Sequence, residues 1–480
     1  MRRTKIVATL GPATSSFESL LALIEAGVDV VRLNFSHGSV EDHRERVKTV
    51  QEAASRAGRI VAIMADLQGP KIRISKFAND SIELARGDKF ILDLDCAEDA
   101  GTQERVGVTY KNLADDLNAK DVLLLDDGRI VLSVDSISGR EIHTTAVNGG
   151  TLSNNKGINR RGGGLSAEAL TDKDRADIKA AAEIDVDYMA ISFPRSAADV
   201  ELARDLLNKA GSDAGIVAKI ERAEALDCID EIIDASDAIM IARGDLGVEI
   251  GDAELPAAQK LLVARARERD TVVITATQMM ESMITNPLPT RAEVFDVANA
   301  VIDGTDAVML SGETAVGEYP AETVAAMASI CESAEEQRVL DGKSHRINQK
   351  FHEVDEAVAM ASMYTANHLD IKIIAALTES GATALWMSRI SSGISIYALS
   401  GEHKTLRRVK LYRGVYPIYF PVRAKSHDET DMNVVKHLLE RGVVGKEDSV
   451  LITKGDLVGD IGGTNTLKIV NVGNLANSVQ

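Results

Sequence analysis

A-S-D-A-I-M-I-A-R-G-D, residues 235–245, holds a short apolar run between an Asp and a polar exit of Arg, Gly and Asp. The phrase recurs in degenerate form. It appears as G-V-D-V-V-R-L-N-F-S (27–36), I-D-V-D-Y-M-A-I-S-F (184–193) and G-T-D-A-V-M-L-S-G-E (304–313). Further apolar runs stand at 5–10 (K-I-V-A-T-L), 61–66, 215–221 (G-I-V-A-K-I-E) and 271–277 (T-V-V-I-T-A-T), making eight in all. Near-continuous apolar runs suit parallel strands buried on both faces. Helical patterns lie between them, at 16–27, 40–54 and 255–269 among others. Eight strand–helix alternations predict a TIM (β/α)8 barrel, an α/β fold, although open α/β sheets use the same local pattern.

Two segments break the rhythm. From 71 to 166 the chain turns strand-like, with S-I-E-L-A-R-G-D-K-F-I-L-D-L-D and D-V-L-L-L-D-D-G-R-I-V-L-S-V-D; Asp126-Asp127-Gly128 signals a hairpin. The expectation is a β-barrel-like lid domain inserted after the third barrel strand, so that the barrel comprises residues 1–70 and 167–340. Residues 341–480 form a C-terminal α/β unit, with strand-like runs at 372–377, 394–400, 415–420 and 449–454.

Composition bounds the function. Of 480 residues, 45% are hydrophobic and 26% charged, as in globular proteins. The net charge of −19 argues against general nucleic-acid binding. Local cation clusters can still bind small anions. The N-terminus lacks the apolar core of a signal peptide, and no apolar run reaches membrane-spanning length. Cys96, Cys228 and Cys331 are odd in number and far apart, which fits a reducing cytoplasm rather than a disulfide framework.

Active sites of such barrels lie at the C-terminal ends of the strands. There the sequence places Arg32, Asn34, Ser36, Asp66, Lys219, Glu221, Arg243, Asp245, Thr275, Thr277, Ser311 and Glu313. Several are i, i+2 pairs, which alternation would put on one face. Two carboxylates, Glu221 and Asp245, suit Mg²⁺ or Mn²⁺, and the neighbouring cations suit a phosphorylated carboxylate. Gly244 would let backbone N–H groups approach an anion at a helix start. Blander readings stand beside these. Asp66 could be a turn former, Glu313 the beginning of a helix, His37 a surface histidine, and Met279, Met280 and Met283 packing residues.

At these positions the chain resembles pyruvate kinase. The resemblance runs through T-L-G-P-A-T (9–14), R-L-N-F-S-H-G (32–38), D-L-Q-G-P-K-I-R (66–73), K-I-E-R-A-E-A (219–225), I-A-R-G-D-L-G-V-E (241–249), T-A-T-Q-M-M-E-S-M (275–283) and M-L-S-G-E-T-A (309–315). It implies phosphoryl transfer from phosphoenolpyruvate to ADP, giving pyruvate and ATP, in a cytoplasmic homotetramer. Residue by residue, it implies that Glu221 and Asp245 hold the divalent metal. Lys219 would stabilise the transferring group and the enolate, and Arg32 would hold the phosphate. Arg243, Gly244 and Asp245 would hold the substrate carboxylate, with Thr277 bound to substrate and tied to enolate protonation. Asn34, His37, Arg73 and Lys156 would lie near the nucleotide.

In the family's potassium-dependent branch the monovalent-cation ligands match Asn34, Ser36, Asp66 and the carbonyl of Leu67. Here Leu67, Gln68 and Lys71 stand where that branch resembles Thr, Lys and Glu. The trio resembles the potassium-independent branch, which implies that Lys71 supplies covalently the charge K⁺ would bring. The opposing reading leaves Lys71 in solvent. In the C-terminal unit, T-E-S-G-A-T (378–383) opens a helical stretch and forms a hydroxyl-rich phosphate cradle, or a plain N-cap. The resemblance assigns Thr378, Ser380, Gly381 and Thr383 to the phosphate of a sugar-phosphate activator. A metal-dependent barrel lyase or aldolase acting on pyruvate or its enolate is the alternative, but it gives the inserted lid no role.

Overall fold

The structure is a computed structural model that describes residues 1–339, 351, 353–421, 427–456 and 462–477. The eight apolar runs form Lys5–Thr9, Val30–Asn34, Ala62–Asp66, Tyr188–Ile191, Gly215–Ile220, Ala238–Ala242, Val272–Ala276 and Ala307–Leu310. They are barrel strands one to eight of a closed parallel barrel, in which strand eight pairs back onto strand one with Lys5 opposite Ala307.

Alternation along each strand sorts the side chains. Ile6, Ala8, Ile63, Ile216 and Ile239 point outward into the layer between strands and helices. Val7, Val30, Met64, Val217, Met240 and Ile274 fill the interior. The same parity carries Arg32, Asn34, Asp66, Lys219 and Glu221 to the inner rim at the strand ends. It sends Thr275 outward, where it is buried and hydrogen-bonded to Thr305 (Oγ1–Oγ1, 3.0 Å). The expected sharing of one face by Thr275 and Thr277 therefore fails.

Between barrel strands three and four lies a mainly β insertion, with one short helix, Leu113–Asp116. Its main sheet has six strands, and a separate pair joins Ser81–Leu84 to Gly150–Ser153. The expected hairpin is present, with Val122–Leu125 antiparallel to Ile130–Ser138. Asp126, Asp127 and Gly128 all take positive φ in its turn (50°, 55°, 85°), the conformation that Asp and Gly tolerate best. The insertion has its own core around Phe90, Leu92, Leu123 and Ile142.

The C-terminal sheet contains the four expected parallel strands, Ile373–Leu377, Ser395–Ser400, Val415–Tyr419 and Ser449–Gly455. A fifth strand, Thr464–Asn471, adds antiparallel to the last of these and was not foreseen. The boundary expected near 340/341, with its polar stretch 340–350, lies outside the described residues.

The Asp of the recurring phrase has a structural task. Asp29, Asp187, Asp237 and Asp306 each sit just before an even-numbered barrel strand. Each Oδ2 accepts a backbone N–H from the preceding odd strand or its start: Ile6 (3.1 Å), Ile63 (2.8 Å), Ile216 (2.7 Å) and Val273 (2.9 Å). Three of the carboxylates then meet cations of the C-terminal unit. Lys410 pairs with Asp29 at 2.6 Å, Arg407 with Asp187 at 2.7 Å, and Arg389 with Asp306 at 2.9 Å. Asp237 instead meets Arg204 of the barrel's own helix Ala197–Lys209 at 2.8 Å.

Candidate active site

The end of barrel strand two delivers Arg32, whose Nε donates to Asp66 Oδ2 at 2.6 Å and whose Nη1 donates to Thr9 Oγ1 at 3.0 Å. Asp66 is buried at the end of strand three, directly opposite Asn34 in the ladder. Its other oxygen lies 3.3 Å from the Lys219 ammonium. Lys219 also pairs with Glu221 Oε1 at 2.9 Å and donates to Ser192 Oγ at 2.7 Å. Glu221 Oε2 accepts the Phe193 N–H at 2.8 Å. Arg32, Asp66, Ser192, Lys219 and Glu221 thus form one connected network.

The electrostatics follow from that geometry. Burial works against the Lys219 charge, but Asp66 and Glu221 outweigh it and push its pKa up to about 12. Burial likewise opposes the Asp66 charge, and the Arg32 and Lys219 cations overcome it, holding the carboxyl below its ordinary value. Glu221 shifts the other way. Burial raises it, Lys219 counters, and the negative charge of Asp245 raises it further. A catalytic-type ammonium therefore stays charged beside two carboxylates that repel one another.

That mutual repulsion bears on the metal. Among the described residues no group of three or more His, Cys, Asp or Glu could hold a metal ion. Two carboxylates at one rim still fit a hard divalent cation, which keeps several waters and shares substrate oxygens rather than demanding an all-protein cage. Glu221 and Asp245 meet this requirement.

The exits of strands six and seven depart from strand geometry at once. Helix Arg243–Ile250 starts directly after strand six, so Arg243 and Asp245 are separated by about 200° around a helix rather than sharing a face. Arg243 is buried against the strand-seven exit. It pairs with Asp296 at 2.7 Å and donates to the carbonyls of Thr277 at 2.7 Å and Ala276 at 3.2 Å. Asp245 Oδ1 accepts from the Lys71 ammonium at 2.9 Å. Thr277 has φ 69°, a genuine outlier for a β-branched residue, and its Oγ1 accepts the Gly244 N–H at 2.8 Å. Backbone strain of this kind gathers where a site over-determines the chain.

Lys71 reaches Asp245 from the strap that leaves strand three, so it joins the strand-three and strand-six sides of the barrel mouth. Ser36 N–H bonds the Asn34 side chain at 3.1 Å, and the Leu67 carbonyl accepts from Ser192 at 2.7 Å. Lys71 thus meets the Asp245 carboxylate instead of joining the Asn34–Ser36 turn. His37 is exposed beside that turn. Arg73 and Lys156 meet at the root of the insertion: Arg73 bridges to Gly157 and donates to the Asn155 carbonyl at 2.9 Å, while Lys156 pairs with Asp126 at 2.7 Å. Glu313 does begin a short helix, Gly312–Ala315, and also accepts N–H groups of Met280 (3.1 Å) and Ser311 (2.7 Å). Met279, Met280 and Met283 are fully buried core residues.

The 378–383 loop is a tight structure. Gly381 takes φ 90° at the start of helix Ala382–Ser388, its N–H bonds Thr378 Oγ1 at 2.9 Å, and buried Thr383 bonds Thr464 at 2.7 Å. Ser192 and Phe193 were missed from sequence. Their signal was present, since Ser192 has the inward parity of Ala190.

A parallel barrel with a charged ammonium, paired carboxylates and an arginine at its C-terminal rim, and a β insertion after its third strand, has the makings of a barrel enzyme for an anionic substrate. Residues 1–324 match the family described as pyruvate kinase, barrel domain, and residues 356–470 match pyruvate kinase, alpha/beta domain. Similar proteins include the pyruvate kinase of Buchnera aphidicola subsp. Acyrthosiphon pisum, 57% identical over 98% of this chain and 99% of its own. Pyruvate kinase II of Salmonella typhimurium is 54% identical over the same shares. Among solved structures, a pyruvate kinase from Cryptosporidium parvum superposes with a TM-score of 0.92 at 34% identity, covering 98% of this chain and 96% of that one. The chain belongs to the pyruvate kinase family, and it is a phosphotransferase. No helix among the described residues is long and apolar enough to cross a membrane.

Proposed function

We propose that the rim network transfers the phosphoryl group of phosphoenolpyruvate to ADP, giving pyruvate and ATP, in the cytoplasm. The observation that carries this reading is the Lys219 ammonium, kept charged between Asp66, Glu221 and Ser192. Phosphoryl transfer demands positioning and charge neutralisation more than covalent chemistry. Lys219 faces the charge developing between phosphoryl group and enolate oxygen, and Arg32, fixed by Asp66 and Thr9, orients the phosphate. Gly244, Asp245 and Thr277 present the short helix and its neighbouring hydroxyl to the substrate carboxylate, with Arg243 bracing the loop beneath them. Asn34, His37, Arg73 and Lys156 face the nucleotide side, at the strand-two turn and the insertion root. Mg²⁺ or Mn²⁺ held by Glu221 and Asp245 would supply Lewis-acid neutralisation of phosphoryl and enolate oxygens. A coupled assay for pyruvate with phosphoenolpyruvate and ADP tests the reading. Lys219→Met should abolish turnover, and wild-type rates in that variant would overturn it.

The finer assignments belong to the same proposal. Lys71 gives the rim a fixed positive charge, 2.9 Å from Asp245, and this supports turnover without K⁺ around Asn34, Ser36, Asp66 and Leu67. Activity that falls by orders of magnitude in K⁺-free tetramethylammonium buffer would reject that. Thr378, Ser380, Gly381 and Thr383 form the activator's phosphate loop; Ser380→Asp with Thr383→Asp should remove any response to sugar phosphates. Exposed Leu288 and Phe295, 75% and 69% accessible, support a homotetramer. Light scattering should then return four times the chain mass of 51.5 kDa.

A further inference from the structure

We propose that Ser192 is a positioning residue for the transfer step, aiming the Lys219 ammonium and tying that aim to the strap on which the lid leaves the barrel. The inference rests on the role given to Lys219 above. Ser192 lies one residue beyond barrel strand four, is 1% exposed, and has the inward parity of Ala190. Its hydroxyl has one hydrogen, which it donates to the Leu67 carbonyl at 2.7 Å. The oxygen therefore faces Lys219 as an acceptor, at 2.7 Å.

An ammonium has three N–H donors. Here Ser192 accepts one of them at 2.7 Å, while Glu221 and Asp66 are ion-pair partners at 2.9 and 3.3 Å. Two of these are charged and one is neutral. Hydrogen bonds to ionised acceptors are about twice as strong as neutral ones. The N–H aimed at Ser192 is thus the one an incoming anionic oxygen takes at least cost. Without the hydroxyl, the ammonium settles wholly on the two carboxylates. It then points away from the substrate and competes with a divalent cation for Glu221.

The next residue completes the device. Phe193 takes φ 57°, and its N–H holds the other oxygen of Glu221 at 2.8 Å. One two-residue turn therefore fixes both members of the Lys219–Glu221 pair. The strap crosses directly above it. Gly69 has φ 67°, and a Cβ there would lie 2.5 Å from Ser192 Cβ. Movement of the strap at Leu67–Gly69 is consequently felt by the hydroxyl that holds Lys219.

The test compares Ser192→Ala, Ser192→Cys and Ser192→Thr in the full chain. Cysteine fills the space but is a weak acceptor; threonine keeps the hydroxyl and adds a methyl group. The Ala and Cys variants should lose about ten- to a hundred-fold in kcat, the scale of one hydrogen bond to a charged group. Their half-saturating Mg²⁺ concentration should rise and their unfolding temperatures should stay native. The Thr variant should remain within several-fold of wild type. A Cys variant at wild-type kcat overturns the proposal, as do variants whose losses follow side-chain volume or a fall in unfolding temperature. Lys219→Met separates the two readings. If it retains turnover, the role of Lys219 is wrong; if it is inactive while Ser192→Ala and Ser192→Cys are unimpaired, only the present inference fails.

Discussion

Replacing Arg389 by Met should cost the protein about 3–5 kcal/mol, the usual penalty for removing one partner of a buried ion pair. Both Arg389 and Asp306 have fully inaccessible side chains. The guanidinium donates to Asp306 Oδ2 at 2.9 Å, to the Thr271 carbonyl at 3.0 Å and to Ser388 Oγ at 2.9–3.1 Å, and it also bonds Asp306 Oδ1. Once it is gone, Asp306 keeps the Val273 N–H at 2.9 Å and a long contact from Arg413 N–H at 3.4 Å. Two neutral donors do not offset a carboxylate taken out of water. The chain has a single tryptophan, Trp386, in helix Ala382–Ser388 just before Arg389. Its fluorescence reports urea unfolding at this junction. With a slope of about 2 kcal/mol per molar urea, the midpoint should fall by about 1.5–2.5 M. Adding Asp306→Asn removes the stranded charge while keeping an acceptor for Val273, so the double variant should recover most of the loss. A double variant as unstable as Arg389→Met alone, or a single-variant shift under about 0.3 M, would refute the stranded-charge reasoning.

Burial raises the Glu249 carboxyl to about 7, against the Ala223 N–H that favours its charge and with Glu224 raising it further. The folded state thus holds this proton to higher pH than the unfolded chain, and the stability from this group falls as pH rises from about 4.5 to about 7. Glu249→Gln should remove that slope, gaining at most about 3 kcal/mol over wild type at pH 8 relative to pH 4 in denaturation curves. Thr277→Gly relieves a φ of 69° and should raise stability by under about 2 kcal/mol, strain relief less the entropy of glycine. It also removes the acceptor for Gly244 N–H, so kcat should drop; unchanged kcat would show that the hydroxyl is dispensable. Gly69→Ala forces a Cβ onto Ser192 at φ 67° and should destabilise by about 1–3 kcal/mol with slowed turnover, measured by thermal unfolding and the coupled assay.

The barrel was legible because parallel strands buried on both faces leave continuous apolar runs, and all eight were found. Parity then located Arg32, Asp66, Lys219 and Glu221 at the inner rim. It failed where extended backbone stops: Arg243 is already helical, and Thr277 is left-handed. Thr464–Asn471 escaped notice because an edge strand with only two buried residues, Thr464 and Val470, carries little apolar pattern. The repeated Asp was visible, but its partners stand far away in the chain, Arg407 being 220 residues from Asp187, and no local pattern encodes such a pairing. Ser192 needed only the parity argument carried one residue further.

Those repeated aspartates have a geometric consequence. One carboxylate before every second strand gives the floor of the barrel an approximate four-fold repeat. A round floor with four equal sockets would accept its neighbour at four rotational settings. Arg204, from within the barrel, takes the socket at Asp237, while Asp29 meets both Arg2 of the barrel and Lys410 of the C-terminal unit. Only one setting then sets Lys410, Arg407 and Arg389 on the other three carboxylates at once. The blocked socket acts as a keyway: a single intramolecular pair turns a rotationally ambiguous joint into an indexed one.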